Sequence, residues 1–169
     1  MLVGVWVFAV RKYHIPWRAL GLRFPESRHN LLTVWVALLG SLAFAIMYAA
    51  TLISFGPELL RPPAVPEDFV GEGTHRLLIA LIVGLGGPFA EEVFFRGFLL
   101  TALVPSWGTM GAIIVSSAIF AVAHLMISTM IPIFVTGLLL SWLYLRSRSI
   151  WPPVAVHSAQ NLIVLSMVA

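Results

Sequence analysis

The chain is organised around the segment Gly86-Gly87-Pro88-Phe89-Ala90-Glu91-Glu92-Val93-Phe94-Phe95-Arg96-Gly97. It places two carboxylates and a guanidinium inside an apolar run, Leu77 to Val104, that is long enough to cross a bilayer. One charge at the centre of a membrane helix costs about 2.5 to 3.5 kcal/mol on insertion scales. Three charges together therefore predict mutual pairing or a polar cavity inside the membrane.

Helix geometry gives the two acids different roles. Glu92 and Arg96 are four residues apart and can pair on one face, whereas Glu91 lies about 100° around the helix. We expect Glu91 to be free for chemistry, and Glu92 with Arg96 to support the site. The alternative for Glu92 and Arg96 is an ion pair that only locks helix packing. Pro88, with glycines before it, also predicts a break or kink just ahead of the acids.

The composition is that of a membrane protein. The chain is 60% hydrophobic and 10% charged, with a mean hydropathy of +0.98, whereas soluble domains are about 45 to 50% apolar. Its net charge of +3 comes from basic residues in short loops, which indicate topology and not a nucleic-acid partner. The lack of cysteine excludes thiol nucleophiles, disulfides and zinc–thiolate sites.

We expect an all-α, polytopic transmembrane bundle that forms a single membrane domain over residues 1–169, with a motif-bearing core at 77–161. It has about five full spans plus a short N-terminal apolar segment, Met1 to Val10, which at ten residues is too short to cross. Short loops at Pro105 to Gly108 and near Ser128 separate the later spans. The predicted spans are Leu31 to Phe55, Leu77 to Val104, Gly111 to Ile127, Met130 to Leu145 and Val154 to Val168.

Charged loops predict the orientation. Arg11 to Arg28 is a basic loop and Arg146 to Arg148 a second one, and both are expected on the cytoplasmic side. The acidic, proline-rich loop from Gly56 to His75 is expected outside. The protein is therefore predicted to be integral to a membrane, expected to be the bacterial plasma membrane, with membrane lipid around it.

Two later spans carry further polar side chains. His124 has Phe120 one turn back on its face, and His157 shares a face with Asn161. Taken alone, a residue such as His124 more often only packs between helices, and a residue such as Asn161 often only forms hydrogen bonds between neighbouring helices. Together with Glu91 they occupy three separate spans and can project into one bundle interior.

That set can supply a carboxylate base, imidazoles that orient a water or a carbonyl, and an amide donor for an oxyanion. Hydrolysis of an amide inside the membrane would use all of these groups. An aspartyl dyad is excluded within one subunit because Asp68 is the only Asp, and neither HExxH nor GxSxG occurs.

The ordered motifs Glu91-Glu92-xxx-Arg96, Phe120-xxx-His124 and His157-xxx-Asn161 resemble the CPBP family of CAAX proteases and bacteriocin-processing enzymes, also called the Abi family. Ala19-Leu20-Gly21-Leu22-Arg23 is similar to that family's cytoplasmic entry to its second span. The resemblance implies an intramembrane endopeptidase in which Glu91 acts as the base on water and His124 assists. His157 and Asn161 would bind the oxyanion, with Glu92 and Arg96 in support.

Several alternatives stay open at this point. The substrate could be a prenylated CAAX-type tail, a bacteriocin leader or another membrane protein or peptide. A non-catalytic immunity or scaffolding protein of the same family and a proton-coupled carrier are the rival functions. No metal is assigned, although Glu91, His124 and His157 would be the ligands of a zinc ion. We favour a metal-free reaction, because neither His has a carboxylate partner in its own span.

Overall fold

Long apolar runs broken by glycine, proline and basic residues give this chain its helices. The computed structural model describes residues 1–25, 30–61 and 71–168, and these ranges contain helices and no strand, which confirms the all-α class. In chain order the α-helices are α1 (Leu2–Val5), α2 (Asn30–Phe55), α3 (Gly73–Leu81), α4 (Gly87–Glu92), α5 (Thr101–Ala123), α6 (Met130–Ser147) and α7 (Trp151–Val168).

Shorter helical pieces extend or connect these helices. Wider π-helical stretches follow α1, join α3 to α4 and join α4 to α5, at Trp6–Lys12, Ile82–Gly86 and Val93–Leu100. Tight 3₁₀ turns lie at Trp17–Leu20, Glu58–Leu60 and Ile127–Thr129. Residues 26–29, at the end of the first basic loop, and residues 62–70, in the middle of the acidic loop, lie outside the described ranges.

The expected break before Pro88 is a widening of the helix and not an interruption. Gly86 and Gly87 keep helical φ and ψ, and the π-helical stretch Ile82–Gly86 lies immediately before them. Proline cannot donate to the helical ladder, and a local π-type register accommodates the missing bond. The acids therefore lie inside a continuous helical run.

That run bends back on itself at Gly108. Its φ of 67° and ψ of 171° are non-helical, and a positive φ is cheap only for glycine. The loop predicted from Pro105 to Gly108 is thus reduced to one residue, with Pro105 inside α5. The two arms pack together, since the rings of Phe95 and Phe120 meet edge to face with centroids 5.0 Å apart.

Three helical runs among the described residues are long and apolar enough to cross a membrane: Leu31–Phe55, Gly73–Ala123 and Ile127–Ser147. The second is the run bent at Gly108, so its arms match two of the predicted spans. The 18-residue α7 places polar His157, Gln160 and Asn161 in its middle. The polytopic helical bundle is confirmed.

One predicted span end was wrong, and the correction places a site residue. The third span was expected to continue to Ile127, but α5 ends at Ala123 and Leu125 has a φ of 56°. His124 Nδ1 bonds the carbonyl of Phe120 at 2.8 Å, the oxygen that a continuing helix would give to the His124 amide. His124 therefore sits at a helix terminus.

Candidate functional site

Glu92 and Arg96 form the ion pair that their spacing predicts, and it is fully buried. Arg96 Nη1 donates to Glu92 Oε1 at 2.8 Å. Arg96 Nη2 donates to the carbonyl of Gly137 at 3.4 Å, and the guanidinium carbon lies 4.3 Å from the centroid of the Phe120 ring. These contacts offset part of the cost of moving the guanidinium out of water, while its Nε has no hydrogen-bond partner within the described ranges.

Glu92 also reaches the last helix, which the sequence did not predict. His157 Nδ1 lies 2.9 Å from the same Glu92 Oε1. An ionised carboxylate can only accept a hydrogen bond, so we assign the proton of His157 to Nδ1. Its Nε2 then faces Glu91 Oε2 at 3.8 Å. Glu92 is thus a single carboxylate held between Arg96 and His157.

His124 is oriented in the same sense by a backbone group. A carbonyl oxygen accepts, so the 2.8 Å contact with Phe120 assigns the His124 proton to Nδ1. The Nε2 of His124 lies 4.0 Å from Glu91 Oε2. Two imidazoles on different helices therefore present Nε2 lone pairs to one carboxylate oxygen.

Glu91 is the acid at the centre of this arrangement. Its side chain is 25% exposed, against 0% for Glu92, as their different helix faces predict. Its Oε2 is buried and has no hydrogen-bond partner within the described ranges. The structure thus places Glu91, His124 and His157 together, while their catalytic roles stay predictions.

Asn161 lies one turn from His157, and its amide makes a contact that was not foreseen. Its Nδ2 donates to the carbonyl of Val83 at 2.8 Å. Val83 belongs to the π-helical stretch ahead of the acids, where the regular ladder is disturbed. Asn161 therefore fixes the approach to Glu91 through the backbone, and a primary amide keeps a second N–H for another acceptor.

Phe120 belongs to the predicted motif with His124, but its contacts with the other helices were not predicted. Its ring makes edge contacts with His124 and His157, at centroid distances of 4.7 and 5.7 Å, and with Phe95. It is 1% exposed and also lies under the Arg96 guanidinium. The only sequence signal was its position one turn before His124, so its contacts with the other helices came from the structure.

The depth of the site is consistent across the helices. Thr101 and Arg148 line the same cavity. Thr101 is ten residues along the chain from Glu91, which corresponds to about 15 Å at the helical rise per residue. Arg148 is nine residues from His157, which corresponds to about 13 Å. Glu91 and His157 therefore lie at similar distances along their helices from this cavity.

Neither histidine has a carboxylate in its own span, but both have partners in the structure. His157 has a carboxylate partner in Glu92, contributed by another helix, and His124 has the Phe120 carbonyl. The fit of a metal is decided by spacing instead. Ligand atoms 2.0 to 2.1 Å from a tetrahedral zinc lie about 3.4 Å apart, whereas the two Nε2 atoms lie 3.8 and 4.0 Å from Glu91 Oε2. Within the described residues, no group of three His, Asp or Glu side chains fits a metal ion as placed.

The comparisons with known proteins match the part of the chain that builds this site. A family model described as "Type II CAAX prenyl endopeptidase Rce1-like" matches residues 73–163, more than half of the chain. The chain belongs to the Rce1-like family. This membership confirms the resemblance to the CAAX protease family, and with the apolar helices it supports an integral membrane protein.

One curated relative supports the same assignment. The Rce1-like chain is 29% identical over 90 residues to "Putative membrane peptidase YdiL" of Bacillus subtilis (strain 168). The aligned residues are 53% of this chain and 37% of that protein, so the chain spans about a third of its relative's length. No solved structure matches the chain.

Proposed function

We propose that this Rce1-like chain is an intramembrane endopeptidase that hydrolyses a peptide bond of a membrane-associated or prenylated, CAAX-type substrate. The observation that carries the proposal is the convergence of two Nε2 atoms on Glu91 Oε2 at 3.8 and 4.0 Å. These distances are too long for direct hydrogen bonds and leave room for a water molecule that donates one hydrogen to Glu91 Oε2 and the other to His124 Nε2. Such a water is the nucleophile that peptide hydrolysis needs.

In this mechanism Glu91 is the general base. One O–H bond of the water breaks, its proton passes to the Glu91 carboxylate, and the oxygen attacks the carbonyl carbon of the substrate. His124 Nε2 accepts the second hydrogen of the water and fixes its direction. Glu91 then returns the proton to the amide nitrogen as the C–N bond breaks, which leaves a carboxylic acid and an amine.

His157 has the geometry to stabilise the oxyanion once its Nε2 has taken a second proton from solvent, a proton that it keeps throughout the reaction. Glu92 accepts from Nδ1, so it favours the imidazolium form as charge develops, and Nε2–H can then donate to the oxyanion. The second N–H of Asn161 is proposed as the other donor. Glu92 and Arg96 are positioning residues, because they act through His157 and do not touch the reacting atoms.

The surroundings of the site favour a substrate that is itself in the membrane. Glu91 sits in an apolar helical run, and the helices that carry it and its neighbours expose mainly apolar side chains. The chain is proposed to act as one membrane domain, with the Arg11 to Arg28 and Arg146 to Arg148 loops on the cytoplasmic side. No nucleic acid is proposed as a partner.

The experiment compares membrane proteomes of cells that carry the wild type or Glu91→Ala and searches for protein termini that depend on Glu91. Glu58→Ala is the matched control, since Glu58 is an exposed acid far along the chain from the site. New termini should appear with the wild type and the control and disappear in Glu91→Ala. Identical terminomes for all three would contradict the proposed activity.

A further inference from the structure

Three arginines converge at the end of the bundle where α6 finishes and α7 begins. Arg18, Arg23 and Arg148 line a cavity of about 660 Å³, within the size range of ligand pockets. Arg18 and Arg23 also line an adjoining cavity of about 440 Å³ that is bounded by Trp151. None of Glu91, His124 and His157 lines either cavity, so the feature is separate from the candidate active site.

Hydrogen bonds between two segments of the chain fix the walls of the larger cavity. The segment from Trp17 to Phe24 is tied to the turn after α6 by three hydrogen bonds: Arg23 Nε donates to the Arg148 carbonyl at 2.8 Å, Ser149 Oγ to the Arg23 carbonyl at 2.6 Å, and the Ile150 amide to the Gly21 carbonyl at 3.0 Å. A side chain at Gly21 would collide with the Tyr144 ring, at 2.6 Å. The arginines are therefore presented from a fixed frame.

The lining combines cationic and apolar surfaces in one space. Beside the guanidinium groups lie Val104, Pro105, Tyr144 and Leu145, and no carboxylate within the described ranges lines either cavity. Like charges brought together repel one another, and an anion between them removes that cost. Arginine is the side chain best suited to phosphate, because its planar fork can donate two parallel hydrogen bonds.

The position of the cavity in the bundle indicates which class of anion it binds. The cavity lies at the ends of membrane-crossing helices, where lipid headgroups meet protein, and Trp151 lines the adjoining cavity as interfacial aromatic residues do. Basic pockets between helix ends on one side of a membrane are a recurring site for anionic headgroups. We propose that this cavity binds one anionic phospholipid, with its phosphate on Arg18 and Arg148 and an acyl chain along the apolar wall.

Native mass spectrometry of the purified full chain tests the proposal. The probes are dioleoyl phosphatidylglycerol and dioleoyl phosphatidylcholine, which share acyl chains and differ in net charge. The wild type should bind phosphatidylglycerol more tightly than phosphatidylcholine. Each arginine near a membrane surface contributes about five-fold in affinity for an anionic lipid. The double variant Arg18→Gln/Arg148→Gln should therefore weaken the binding of phosphatidylglycerol about 25-fold and leave the affinity for phosphatidylcholine unchanged.

The matched control is Arg11→Gln/Arg146→Gln, which removes the same charge from exposed arginines that line neither cavity. It should change the affinity less than two-fold. Equal losses in both double variants would assign the effect to surface charge, and equal binding of the two lipids by the wild type would overturn the proposal.

Two further measurements keep the result unambiguous. Millimolar inorganic phosphate should displace phosphatidylglycerol only weakly. Complete displacement would identify a site for a free anion and refute the lipid assignment. Arg18→Gln alone changes an exposed side chain outside the helical core and should still weaken binding about five-fold if the double variant fails to fold.

Discussion

Breaking the buried pair of Glu92 and Arg96 should separate folding from chemistry. In Arg96→Met the Glu92 carboxylate keeps, among the described residues, only His157 as a polar partner, at 2.9 Å, and its side chain stays buried. Leaving one member of a buried ion pair stranded costs about 3 to 5 kcal/mol of unfolding free energy. The double variant Glu92→Gln/Arg96→Met removes the stranded charge and should regain at least half of that loss.

Activity should not follow stability in this pair of variants. A glutamine at position 92 still accepts a hydrogen bond from His157 Nδ1, but it is neutral and does not favour the imidazolium. We expect cleavage by the double variant to stay at least about 10²-fold below wild type, within the range of a general acid–base contribution.

The assay is reversible unfolding in mixed micelles together with cleavage of a substrate found in the proteome comparison. A fully stable Arg96→Met would contradict the stability argument. A double variant no more stable than Arg96→Met would show that the two charges are not coupled. Wild-type cleavage by the double variant would remove Glu92 from the mechanism.

Three further predictions concern packing, orientation and cofactor. Gly97→Ala should cost about 1 to 3 kcal/mol of unfolding free energy, because the new Cβ would lie 2.5 Å from the Leu20 carbonyl oxygen, whereas Gly4→Ala, with nothing within 4 Å, should cost nothing. In this Cys-free chain, Glu67→Cys should be labelled from the outside and Arg146→Cys from the cytoplasm, and the reverse pattern would refute the orientation. Purified protein should cleave after exhaustive chelation, and activity restored only by stoichiometric zinc would contradict a metal-free reaction.

The features that the sequence predicted well are those set within one helix. Residues four apart share a face whatever the surrounding fold, so the pairing of Glu92 with Arg96 and the contact of Phe120 with His124 follow from spacing alone. The apolar runs likewise predict the helices, because a bilayer-length stretch of apolar residues has few other solutions.

Contacts between helices could not be predicted in the same way. The bond from Glu92 to His157 joins residues 65 positions apart, and that from Asn161 to Val83 joins residues 78 apart. Both depend on helix crossing and on the π-helical register before the acids, which no single-helix pattern encodes. The end of α5 at Ala123 was missed because a side chain, and not a proline or glycine, competes for the last carbonyl.

The most direct test of the central claim is the cleavage rate of purified Glu91→Gln in the same micelles as wild type. Glutamine keeps the shape of the side chain and removes the base, so the rate should fall at least about 10²-fold while the unfolding free energy stays nearly unchanged. Glu58→Gln, an exposed acid, should cleave as wild type does. Cleavage by Glu91→Gln at the wild-type rate would show that Glu91 does not activate the water.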